Sequence, residues 1–91
     1  AGVLGTVDYL AWLGEQTGGS GDRRAKLVAA FEACLAYEHA IGTRLLDGLR
    51  RINGLTLFGP PGMAGRVPTF GFTVAGHHSD AVAQHLADQG V

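Results

Sequence analysis

Histidine, cysteine, lysine and serine are the side chains here that could do chemistry, and their spacing decides how much. The chain holds four histidines, His39, His77, His78 and His85. Metal-ligand pairs on one helix usually sit three or four residues apart, so that both imidazoles share a face, whereas His78 and His85 are seven apart. Adjacent His77 and His78 point in opposed directions in extended chain. His85 falls on a polar flank with Gln84 and Asp88, and His39 follows Glu38 in a different segment. The expectation is four ordinary surface or loop histidines and no metal site. Ser79 stands between His78 and Asp80, but the members of a hydrolytic triad converge from separate segments, and Ser79 is better suited to a helix N-cap. "GPPGMAG" has glycines without the Lys and Ser/Thr of a phosphate loop. Lys26, the sole lysine, lies beside Arg23 and Arg24 at a helix start; a solvated amine there is a poor Schiff base, which needs desolvation. Cys34 is the only cysteine, which excludes a disulfide framework. Within "FEACLAY" it reads as a buried thiol packing as a small hydrophobe. The sequence therefore assigns no catalytic, cofactor-binding or metal-ligating residue.

The bulk composition narrows the classes further. Seven Lys and Arg face eight Asp and Glu, a formal net charge of -1, without the clustered positive charge that holds a phosphate backbone. Six of the basic residues, Arg23, Arg24, Lys26, Arg44, Arg50 and Arg51, gather at the two ends of one segment rather than along a face. No apolar run approaches the roughly 20 residues that span a bilayer. No nucleic-acid or membrane partner is expected, and the single unpaired cysteine suits a cytoplasmic location.

Hydrophobic periodicity supplies the elements that would have to position any site. "AGVLGTVDYLAWLGEQTGG" has a broad helical stripe of Val3, Leu4, Val7, Leu10, Ala11 and Leu13, with Tyr9 and Trp12 on the other side. A helix apolar almost all round is normally buried on two faces, so either a partner covers Tyr9 and Trp12 or they lie bare. After "TGGSGDRR", with Ser20 and Asp22 as candidate caps, one helix of roughly 45 Å is expected from Asp22 to about Arg51. Its apolar face reads Leu27, Phe31, Cys34, Ile41, Leu45, Leu49 and Ile52, with Glu38 the polar interruption. Arg23, Arg24 and Lys26 oppose the helix dipole at its start and are expected as solvated surface or a docking contact. "INGL" is a turn, "LTLFG" a strand, "PPGMAG" a loop and "RVPTFGFTVAG" a second strand. Two strands joined by so short a loop pair antiparallel. "HHSDAVAQHLADQG" closes as a helix capped by Ser79 and stopped by Gly90, with Val91 as the first residue of a further strand. The fold class expected is α+β in the order ααββα, helices packed on one face of a short antiparallel sheet. Residues 1–91 form one domain on this reading, with a linking helix over 1–18 and a core over 22–91 that lacks its last strand.

"GVLGTVDYLAWLGEQTG", "RRAKLVAAFEACLAYEHAIGTRLLDGLRRINGLTLFGP" and "RVPTFGFTVAGHHSDAVAQHLADQGV" together resemble the C-terminal part of class V aminotransferases, and most of all the cysteine-desulfurase-like proteins. These are pyridoxal-phosphate enzymes of fold type I. The resemblance implies that the Schiff-base lysine and phosphate-cup residues belong to a large domain upstream of Ala1. The carboxylate-binding arginine and mobile cysteine would lie beyond Val91. Cys34 does not match that cysteine, and no residue is carried over as catalytic or cofactor-binding. The expectation is a C-terminal small-domain fragment, inactive by itself, whose partners are the large domain or a second copy meeting Tyr9, Trp12 and the strand edge. The alternatives are an autonomous interaction or oligomerisation module without catalysis, and a metal or ligand sensor resting only on the histidines.

Overall fold

The computed structural model describes residues 1–91 and shows an α+β fold, with α1 over Gly2–Gln16, α2 over Arg23–Arg50, β1 over Leu55–Leu57, β2 over Phe72–Val74 and α3 over Ser79–Asp88. The backbone groups into two compact units, Ala1–Ala40 and Ile41–Val91. The division falls inside α2 rather than at the Gly-rich break that follows α1.

In the first unit, α1 and the first part of α2 meet through small residues. Gly14 is buried, and a Cβ placed on it would lie 1.8 Å from the Lys26 carbonyl oxygen. Gly19 also leaves no room for a side chain, with the Ala29 methyl group 2.6 Å from where its own Cβ would be. Ala30, on the same side of α2, is fully buried. Two ion pairs frame this contact. Arg23 Nη2 donates to Asp8 Oδ1 at 2.7 Å, and Lys26 Nζ pairs with Glu15 Oε1. These pairs account for two of the three basic residues at the start of α2: they serve acidic side chains of α1, and Arg24 is left over. The helix opens on a side-chain cap, the Ala25 amide donating to Asp22 Oδ1 at 2.8 Å.

The second unit holds the sheet. Gly54 turns the chain with φ +81°, and β1 pairs antiparallel with β2 in the register Leu55↔Val74, Thr56↔Thr73 and Leu57↔Phe72. Leu55, Leu57, Phe72 and Val74 are half-buried while both threonines are exposed, the alternation of a sheet with one covered face. The second strand is shorter than "RVPTFGFTVAG" predicts. Pro68 has no N–H to give a ladder, Thr69 N–H turns back to the Val67 carbonyl at 2.7 Å, and cross-strand bonding begins where Phe58 N–H donates to the Gly71 carbonyl at 2.9 Å. Gly42 of α2 receives Met63, whose Sδ lies 2.5 Å from where a Cβ would be, and Leu46 and Leu49 are buried beside it in sequence.

The predicted face of α2 is covered only in part. Leu49 is buried and Leu27 and Cys34 are half-buried, whereas Phe31, Ile41, Leu45 and Ile52 are 55, 48, 46 and 49 % exposed, and the buried Ala30 and Leu46 lie off that face. At Ala30 close approach to α1 selects small residues, whereas the second unit buries the larger Leu46 and Leu49. The end of α3 is as expected at Gly90. Gly90 takes φ +80°, its N–H reaches the Ala87 carbonyl, and Val91 N–H reaches Leu86. That is a Schellman closure, in which the Val91 amide bonds to the last turn of the helix.

Gly14→Ala should lower stability by about 1–3 kcal/mol through overpacking against the Lys26 backbone. Gly5→Ala, at the end of the first turn of α1 with nothing within 4 Å of a new Cβ, should raise it by about 0.5–1 kcal/mol. Urea denaturation of both variants beside the parent chain measures the pair, and equal effects would refute the close approach.

Candidate functional site

The best-formed concavity lies between β2 and α3. It is a half-open groove of about 240 Å³ lined by Phe72, Val74, His77, Ser79, Val82 and Leu86 among others. The apolar residues come from the covered face of β2 and the inner stripe of α3. Thr73, His77 and Ser79 are its polar lining residues, and His77 N–H is committed to the Val74 carbonyl at 3.1 Å. His77 and His85 also share the lining of an adjoining groove with Val74 and Val82.

The expected cap of α3 shifts by one residue. Ser79 is the first helical residue, and His78, in extended conformation with φ −75° and ψ 148°, is the N-cap. Its Nδ1 accepts from the Asp80 N–H at 3.3 Å and stands 3.5 Å from Asp80 Oδ2. The three neighbours form a local turn rather than a convergent triad, and the His78 and Asp80 side chains are 77 and 92 % exposed. No group of three or more His, Cys, Asp and Glu side chains is placed to hold a metal ion. Cys34 is half-buried rather than buried as expected. It lines a shallow groove in the first unit with Leu13, Thr17, Ala33 and Tyr37. Lys26 is occupied by Glu15. No helix is long and apolar enough to cross a membrane.

Arg66 is the polar residue whose importance the sequence reading missed. Its guanidinium donates from Nε to the Pro60 carbonyl at 3.2 Å, from Nη1 to Thr69 at 2.9 Å and from Nη2 to Phe58 at 3.0 Å. The cation also lies 5.2 Å from the centre of the Phe70 ring. One planar fork therefore ties together the loop joining β1 to β2. A lone arginine in a Gly- and Pro-rich loop, where backbone carbonyls lack ladder partners, is the sequence mark that points to such a role.

Tyr9 and Trp12 lie against each other with ring centres 5.7 Å apart and planes tilted by 34°, and they remain 59 and 51 % exposed. Val3 and Leu4, assigned to the stripe of the same helix, are also exposed, at 82 and 57 %.

No protein-family model matches the chain, and no solved structure matches it. Over all 91 residues it is 34 % identical to an uncharacterised protein of Mycobacterium tuberculosis. The chain spans 22 % of the length of that relative.

Arg66→Ala should let the amides of residues 58–71 exchange with solvent about tenfold faster, with α1 unchanged. Hydrogen exchange read by mass spectrometry checks this. Arg66→Lys should recover only part of the protection, because an ammonium cannot span three carbonyls in one plane.

Proposed function

We propose that the chain is the C-terminal small domain of a pyridoxal-phosphate enzyme of the class V aminotransferase, cysteine-desulfurase-like kind, and is non-catalytic by itself. The observation that carries this reading is the balance of apolar surface. Ala30, Leu46 and Leu49 are the buried hydrophobic residues, against fifteen large hydrophobic side chains left exposed. Hiding apolar surface is worth about 25 cal/mol per Å², so such a surface favours cover by further polypeptide. The order ααββα agrees with the resemblance of the three quoted segments. The matched region of the mycobacterial relative is likewise a minor part of a longer protein.

The residues of this chain do not fit pyridoxal phosphate. The only lysine is held by Glu15 at the α1–α2 contact, and the groove at β2 and α3 is lined mainly by apolar side chains, with no cation for a phosphate. The cofactor would belong to the large domain, and the part left to this chain is scaffolding: to present a rigid face to that domain and its substrate. A cytoplasmic location accompanies this reading.

Borohydride reduction with pyridoxal phosphate present should leave this chain unmodified by mass spectrometry. The full-length mycobacterial relative should carry a pyridoxyl-lysine outside the matched stretch. A relative that binds no pyridoxal phosphate removes the affiliation. A stoichiometric adduct on this chain, lost in Lys26→Ala, removes the claim of silence.

A second reading, an interaction or oligomerisation module without catalysis, draws on the open Tyr9–Trp12 pair and on a two-stranded sheet with its outer edges unpaired. On that reading a second copy covers them. Sedimentation of Tyr9→Ser/Trp12→Ser should then show weaker self-association than the parent chain, and an unchanged profile counts against it.

A further inference from the structure

On α2, Arg24, Val28, Phe31, Leu35 and Glu38 follow one another at steps of four, three, four and three residues. At 3.6 residues per turn they fall within about 80° of each other. The centre of that stripe lies roughly 170° around the helix from the side that Ala29, Ala30 and Ala33 turn toward α1. Val28, Phe31 and Leu35 are 45, 55 and 64 % exposed. Arg24 and Glu38 make no ion pair within the chain, although the two other basic residues of that helix start do. The stripe is thus a cation, three apolar side chains and an anion, with each charge seven residues from Phe31.

Reversing that order exchanges the signs. A parallel copy would set Arg24 on Arg24 and Glu38 on Glu38, whereas an antiparallel copy sets each arginine over a glutamate. We infer that this stripe is the docking surface for a second copy of the chain. The two α2 helices cross antiparallel about a two-fold axis at Phe31, and Arg24 of each pairs with Glu38 of the other. Such a contact is isologous and closes at two copies. The apolar part is modest beside the roughly 800 Å² per partner of a standard interface. The dimer is accordingly weak and salt-sensitive, with the two charge pairs fixing direction. The inference concerns α2 alone and is independent of whether a parent enzyme uses pyridoxal phosphate.

Sedimentation equilibrium of the full 91-residue chain at low salt tests it. Arg24→Glu and Glu38→Arg should each weaken dimerisation about tenfold, since each sets like charges together at both ends. The doubly reversed Arg24→Glu/Glu38→Arg should return to within about twofold of the parent chain. Circular dichroism confirms that each variant keeps its helices. In a Cys34→Ser background, Phe31→Cys should form a disulfide-linked dimer on oxidation and Val28→Cys should not, because only the residue on the axis meets its own copy. A chain monomeric at every concentration overturns the inference. So does a double reversal that fails to restore association, or association that survives Phe31→Glu and disappears in Tyr9→Ser/Trp12→Ser.

Discussion

The absence of a side chain at Gly14 is the constraint on which the first unit depends. A methyl group there would stand 1.8 Å from the Lys26 carbonyl oxygen, so the two helices reach their spacing only because one of them offers bare backbone. Everything near that point is sized to match. Ala29 and Ala30 present methyl groups, and Gly19 admits one of them. Asp8 and Glu15 then come within reach of Arg23 and Lys26. These exposed pairs are worth little individually. They fix direction along a contact whose favourable term is close packing, and they use up two cations of α2 while leaving a third.

The second unit is organised by different means. Its two strands have three residues each, and a two-stranded sheet is marginal on its own. Arg66 compensates by gathering carbonyls from both sides of the connecting loop, so the loop is held by a side chain where a longer ladder would otherwise hold it. Met63 enters the notch at Gly42; an unbranched thioether adapts to such a gap better than a branched side chain does. The groove beside β2 stays open because Val82 and Leu86 only partly cover Phe72 and Val74.

Legibility in the sequence follows the range of the interaction involved. Capping is local, and the predicted start of α2 at Asp22 agrees with the structure to a residue. Strand pairing across "LTLFG" and "RVPTFGFTVAG" was readable from alternation and a short loop, and so was the ααββα order. The extent of β2 was not, because it depends on where Pro68 and Thr69 send the backbone. The cap of α3 moved from Ser79 to His78 because His78 is the last extended residue before the helix and its imidazole, like a capping hydroxyl, can accept from the amide two residues on, that of Asp80. The face of α2 was legible only in part: Leu49 is buried as periodicity predicts, but the contact with α1 is made by small residues, which a count of large apolar side chains does not pick out.

Trp12 is the single tryptophan of the chain, and its half-open indole lies against Tyr9. The molecule thus carries a built-in fluorophore on the outward side of α1. Any polypeptide that settles over that helix will shield the ring from water and shift its emission to the blue, so docking there can be followed by light alone, without a label.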